Sequence, residues 1–259
     1  MKLQDYLDRI ARGEALNYEA FLKCLPQEVR ARHRRVFRTT RVGGRWKVEV
    51  PDAGDWERLL AVARRPASRA EAARQGDSHR HDTAVSYLLV HHQGLEDERP
   101  AVVYLAPGIC RQGFQRQRRA LVIENEENFF RPQAMLELAS RFRDEVLDPA
   151  GTDVVLGGGN RVLRPLVREW LAGYEQVLCA FDCDPGGLAM YAGLREHAGP
   201  AVEFLQPADW RPWHPCFRRS PDSTAALAGA IRRAQDLELD GLAAAFSATR
   251  RFMEQEMLL

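Results

Sequence analysis

From residue 120 onward, short apolar runs and amphipathic stretches alternate at regular spacing. ALVIEN (120–125) and QVLCAFDCD (176–184) are strand-length apolar runs that end in polar and acidic residues, and TDVVLGGGN (152–160) is one that ends in glycines. Between them, PQAMLELASRF (132–142) and RVLRPLVREWLAGY (161–174) carry apolar residues at helical spacing. PGGLAMYAGLREH (185–197) has proline where a helix starts, and AVEFLQPADW (201–210) reads as a fourth strand. The order β-α-β-α-β-α-β, with apolar strands and short connections, predicts an α/β domain: a Rossmann-like parallel four-stranded sheet with helices on both faces. Beyond it, 223–235 and 240–259 read as two helices beside the sheet.

The amino-terminal third has a different pattern. QDYLDRIA (4–11) places Tyr6, Leu7 and Ile10 at helical spacing, Asn17 stands where it caps YEAFLKCL (18–25), and Pro26 opens PQEVRARHRRVF (26–37). VGGRWKVEV (42–50) follows as a turn and an alternating strand. Helices followed by a strand predict a small winged-helix-like α+β module over residues 1–75, with a helix at 55–65 and a polar linker after it. Residues 76–119 read as a connecting segment with two strand candidates, 84–90 and 100–106, and a basic stretch, 111–119. The α/β domain then occupies 120–259.

Composition narrows the function classes. The 259 residues are 45% hydrophobic and carry a formal net charge of +1. That charge gives no global signal for nucleic acid, so any DNA contact must come from a local patch. Two exist: the arginines between Arg30 and Arg45, and Arg111, Arg116, Arg118 and Arg119. No apolar stretch is long enough for a membrane span, and the first residues lack the apolar core of a secretory leader. The five cysteines show no metal or disulfide spacing and read as reduced thiols of a cytoplasmic protein. His79, His81, His91 and His92 cluster in sequence, but no carboxylate or cysteine completes an obvious ligand set.

In an open parallel sheet, chemistry sits beyond the carboxyl ends of the strands. The predicted strands deliver Glu124 at the first end, Gly157–Asn160 at the second, Asp182 and Asp184 at the third and Gln206 at the fourth. Asp182 and Asp184 are two residues apart, which in extended chain points both carboxylates to one side. Like charges so close repel, and a hard divalent cation such as Mg2+ relieves the conflict. Glu124 reaches the same crevice, where it serves as a metal ligand or a general acid–base. Three carboxylates there can hold ions that bind a phosphodiester and activate water. Glu126 and Glu127 read as solvated loop acids, and Glu256, on the terminal helix, as a further candidate ligand. Gly158, Gly159 and Asn160 are candidates for close backbone approach to DNA, and Arg111, Arg116, Arg118 and Arg119 for phosphate contact.

Together, VIENEENFF, LGGGN and FDCDPGGLAMYAGL resemble the Toprim domain shared by topoisomerases, primases and some nucleases, with Glu124, Asp182 and Asp184 on that family's metal-binding acids. More narrowly, ENEENF, the glycine-rich strand end, DxDPxG and the tail FMEQEMLL resemble the nuclease subunit (JetD, MksG) of Wadjet and MksBEFG plasmid-defence systems, relatives of the topoisomerase VI A subunit. The resemblance covers residues 85–259. It implies a Mg2+- or Mn2+-dependent endonuclease acting on double-stranded DNA without sequence preference, as a homodimer working with an SMC-like ATPase. The chain is short for that family, and the resemblance implies an amino-terminal arm that is reduced or absent. Topoisomerase VI A also uses a nucleophilic tyrosine. Here Tyr6 and Tyr18 occupy apolar helix positions outside any RRxxYY-like context, which makes hydrolysis the expected reaction. The alternatives are a topoisomerase VI A-like strand transferase and a non-catalytic DNA-binding adaptor.

Overall fold

In the computed structural model, which describes residues 3–63, 85–94, 99–198 and 202–259, the helical spacing of the first residues becomes α1 (Leu3–Ala11). Its buried face is Leu3, Tyr6, Leu7 and Ile10. The Asn17 side chain accepts from the Ala20 N–H at 3.1 Å and caps α2 (Tyr18–Lys23). The expected third helix is two pieces, α3 (Gln27–Ala31) and α4 (His33–Val36), broken at Arg32, where φ is −112°. Where the sequence predicts a single strand, the chain forms an antiparallel hairpin, β1 (Arg38–Val42) and β2 (Arg45–Glu49), turning through Gly43 at φ +59°. α5 (Ala53–Ala63) closes this unit, whose core includes Leu7, Leu16, Phe21, Phe37, Val48 and Leu59. The polar linker predicted beyond it, with His79 and His81, lies outside the described residues.

Contacts divide the chain into Met1–Thr83 and Ala84–Leu259. The second unit is built on one seven-stranded sheet. Its strands in chain order are β3 (Ser86–His91), β4 (Ala101–Ala106), β5 (Ile109–Arg111), β6 (Arg119–Ile123), β7 (Thr152–Leu156), β8 (Gln176–Ala180) and β9 (Val202–Phe204). They lie in the order β5-β4-β3-β7-β6-β8-β9. β7, β6, β8 and β9 are parallel, as the β-α alternation predicts. The sheet as a whole is mixed, because β3 pairs antiparallel to β7, with Val90 opposite Val155, and β4 and β5 follow as antiparallel neighbours. The segment read as a connector is therefore an edge of the same sheet.

Alternation along the central strands sorts the two faces. Ala120 and Val122 of β6 point into one cluster, with Val155, Val177 and Cys179; Leu121 and Ile123 point into the other, with Val154, Leu156 and Leu178. α6 (Glu126–Phe129) and α7 (Pro132–Arg143) cover the second face. α8 (Pro165–Leu171), α9 (Pro185–Ala198), α10 (Thr224–Asp236) and α11 (Asp240–Thr249) cover the first. The fourth parallel strand is shorter than expected, and Gln206 lies past its end, its Oε1 accepting from Trp210 Nε1 at 3.4 Å.

The tail departs most from expectation. α11 stops at Thr249, because Arg250 takes the left-handed conformation at φ 56°. The chain then doubles back, and residues 250–259 lie along the carboxyl end of the sheet as two bridges and a 3-10 turn, Gln255–Leu258. Among the described residues no helix is long and apolar enough to cross a membrane.

Candidate active site

Parallel register brings the ends of β6 and β8 together. Ile123 is level with Ala180, and the Glu124 N–H donates to the Ala180 carbonyl at 3.1 Å. Past β8, Phe181 and Cys183 remain in the core, Asp182 is half-buried and Asp184 is buried. A backbone bridge maintains this, with the Cys183 N–H donating to Met253 O at 2.9 Å and the Met253 N–H returning to Cys183 O at 3.2 Å. Cys183 is thus a small buried residue held by this bridge.

Hydrogen bonds tie the acids to one another and to the tail. The Asp182 N–H donates to Glu124 Oε2 at 2.9 Å, and the Gln255 N–H donates to Asp182 Oδ1 at 2.8 Å. Asp184 Oδ1 accepts from the Gly187 N–H at 2.8 Å, capping α9. Its Oδ2 receives Arg219 Nη1 at 2.6 Å. Arg219 is held in place by paired backbone bonds to Phe252 at 3.1 and 2.8 Å. Sequence reasoning missed Arg219, which lies in an irregular segment with no period to mark it. It also placed Glu256 on a helix; Glu256 stands on the 3-10 turn, close enough for its charge to act on both Glu124 and Asp182.

Burial and mutual repulsion set the electrostatics. Burial, with the charges of Asp182, Asp184 and Glu256 added, pushes Glu124 up to about 7 against the pull of the Asp182 N–H. Burial and the neighbouring acids push Asp182 up to about 6, against the pull of the Gln255 N–H. Glu124 Oε1 and Asp182 Oδ2 accept no hydrogen bond among the described residues, whereas both oxygens of Asp184 are engaged.

No protein-family model and no curated protein matches the chain. Its chemistry has to be read from the geometry.

The remaining candidates separate into two groups. Gly158, Gly159 and Asn160 are brought to the acids, since the Gly157 N–H donates to Ile123 O at 2.7 Å. Gly158 and Gly159 sit at φ +62° and +61°, backbone that favours glycine. The basic stretch is not brought there. Arg119 opens β6 and Glu124 follows its end, about 16 Å apart at strand rise. Arg119 pairs with Glu145, and Arg118 with Glu175. Arg116 donates to Trp170 O at 2.6 Å and lies over the Trp170 and Tyr174 rings, so it ends α8 structurally. Arg111 lies on the edge strand β5. After Asp184, the Gly187 N–H is taken by the Asp184 carboxylate, and Gly187 lies close against the backbone of Asp182. His92 Nδ1 is paired with buried Asp153 at 2.7 Å, and His91 packs against the Phe129 ring at a tilt. Among the described residues no three Asp, Glu, His or Cys side chains stand where they ligate one ion together.

The raised carboxyls carry a stability signature. In the folded state Glu124 and Asp182 keep protons that the unfolded chain releases above about pH 4 to 4.5. The contribution of these two groups to stability is therefore greatest below that range and is lost as pH rises through 6 and 7. Glu124→Gln keeps an acceptor for the Asp182 N–H and removes the charge. Without divalent ions, this variant is expected to be more stable than wild type by about 2 kcal/mol at about pH 8, the gap closing toward about pH 5. Urea titration across pH measures it; a gap that does not change with pH contradicts the assignment.

Proposed function

We propose that the second unit is a Toprim-type, metal-dependent DNA endonuclease, and that Glu124, Asp182 and Asp184 form its catalytic centre. The observation that carries this is the convergence of the acids at the carboxyl ends of neighbouring parallel strands, where burial and repulsion leave two of them short of compensating positive charge. The donor chemistry fits Mg2+ or Mn2+: hard carboxylate oxygens, one each on Glu124 and Asp182 without a hydrogen-bond partner among the described residues. Asp184 joins such a set only when Arg219 releases it. A divalent cation there supplies Lewis-acid stabilisation of a phosphodiester and eases deprotonation of the attacking water. Glu124, near neutrality, accepts or returns a proton at physiological pH. Arg219, released from Asp184, offers its guanidinium to a phosphate oxygen.

Hydrolysis is favoured over strand transfer. Tyr6 is buried in the amino-terminal core, and Tyr18, packed among Phe21, His33, Phe37 and Trp46, shares a hydrogen bond with His33 Nδ1 at 3.0 Å. Burial pushes the Tyr18 phenol up, away from the ionised form a nucleophile needs. The resemblance to plasmid-defence nuclease subunits supports a homodimer that acts with an SMC-like ATPase on double-stranded DNA. In that reading the helices and β1–β2 hairpin of the first unit are a winged-helix-like contact module.

The test is cleavage of supercoiled plasmid. Wild type is expected to nick or linearise it with Mg2+ or Mn2+ and not in EDTA, and Tyr18→Phe to do the same without a covalent protein–DNA product on denaturing gels. Equal nicking by wild type and Asp182→Asn contradicts the catalytic centre, and a covalent product lost in Tyr18→Phe selects strand transfer.

A further inference from the structure

The antiparallel edge of the sheet has two unlike faces. Leu88, Val90, Val103 and Leu105 point into the core, where α8 packs against β3 and β4. On the other face Tyr87 is 50% exposed, Val102 58%, Tyr104 41% and Ile109 48%. The register makes this one surface. Tyr87 is directly opposite Tyr104, Tyr104 is opposite Arg111, and Ile109 is opposite Ala106. The Arg161 guanidinium lies over the Tyr87 ring at 4.8 Å from its centroid. The strands SYLLVH, AVVYLA and ICR contain no carboxylate. Two exposed tyrosine rings, side by side and flanked by Arg161 and Arg111, form an aromatic and cationic platform.

We infer that this face binds single-stranded nucleic acid, the bases stacking on Tyr87 and Tyr104 and the backbone running past Arg161 and Arg111. Aromatic rings on an open surface, interleaved with cations, suit unpaired bases, because every base has a flat face and every nucleotide a phosphate. A second copy of the chain fits less well. An isologous contact meets its own patch, so each arginine would face a surface whose strands carry no carboxylate to receive it. The location agrees with the choice of occupant. Continuing the β3–β7 register puts Tyr87 level with Gly158, at the end of the sheet where Glu124 stands. β3 is two strand spacings from β6, about 10 Å. A strand leaving Tyr87 thus crosses the Gly157–Asn160 backbone to reach the acids. The choice of nucleic acid rests in part on the nuclease reading; the binding itself needs neither metal nor cleavage.

Fluorescence anisotropy with a short fluorescein-labelled oligothymidine in EDTA tests it. Each stacked base lost costs about tenfold in affinity or more, so Tyr87→Ala with Tyr104→Ala is expected to bind about 100-fold more weakly. Tyr87→Phe with Tyr104→Phe keeps the rings and is expected to stay within about threefold of wild type, as is duplex binding by the alanine pair. The inference is overturned if wild type does not bind the oligothymidine, or if the alanine pair binds it as wild type does. It is also overturned if single strand and duplex weaken equally, or if sedimentation shows that the alanine pair has instead lost self-association. Because binding is read without divalent ions, its failure leaves the cleavage reading to be judged on the acid variants alone.

Discussion

Asp182→Asn and Glu124→Gln are each expected to reduce the proposed metal-dependent plasmid cleavage by about a thousandfold or more while leaving the fold and duplex binding in place. Both substitutions keep shape and hydrogen bonding. The amide introduced by Asp182→Asn retains an oxygen for the Gln255 N–H, and the one introduced by Glu124→Gln retains an oxygen for the Asp182 N–H. What they remove is charge at the point where, in the proposed reaction, a phosphodiester is held and water activated. Charge stabilisation of that kind is worth several kcal/mol, and about 4 kcal/mol corresponds to a thousandfold in rate. Asp184 is a poorer site for the experiment. Asp184→Ala removes the α9 cap and leaves Arg219 without its partner, so its loss of activity mixes chemistry with stability. The measurement is the rate of plasmid conversion alongside the melting temperature without divalent ions; an inactive variant whose melting temperature is no lower than that of wild type is the expected pair of results.

Gly187→Ala is expected to destabilise the second unit by about 3 kcal/mol or more, and to abolish cleavage with it. A Cβ at this position lies 2.0 Å from the Asp182 carbonyl oxygen and 3.1 Å from the Asp182 nitrogen. The obstacle is backbone, which cannot rotate aside as a side chain can. Either α9 moves off the end of β8 or Asp182 is displaced. Both outcomes break the Asp184 cap and move an acid away from its neighbour. Thermal unfolding should show a drop of about 6–12 °C for a unit of this size. Gly186→Ala is the control. Its Cβ meets the Asp184 carboxylate, Oδ1 nearest at 3.2 Å, and alanine suits a helix start better than glycine, so a change within about 1 kcal/mol is expected.

The parallel half of the sheet is legible because its strands are buried on both sides, and burial writes continuous apolar runs into the sequence. The meeting of Glu124 and Asp182 follows from the same pattern, since a short parallel strand can only deliver its last residue to the carboxyl end. Partners are harder to read than elements. The alternation in 84–90 and 100–106 marks strands, yet nothing local says that β3 pairs with β7; that depends on a free edge formed far along the chain. The tail misleads for a comparable reason. Arg250 adopts a positive φ that no glycine or asparagine announces, and the bridges of Met253 to Cys183 and of Phe252 to Arg219 are long-range contacts. Arg219 becomes part of the site only through them. The basic stretch before β6 stands at the strand's amino end, across the sheet from its terminal acid, so adjacency in sequence does not place it beside Glu124.

The central claim is that Glu124 and Asp182 together form a divalent-cation site, and thermal unfolding with Mn2+ tests it most directly. At about pH 8, added Mn2+ should raise the melting temperature of wild type progressively with concentration. At about pH 5.5, where the two carboxyls hold protons, the rise should be smaller. Glu124→Gln and Asp182→Asn should show little or none at either pH. If both variants respond to Mn2+ as wild type does, the ion binds elsewhere and the account of the site is wrong.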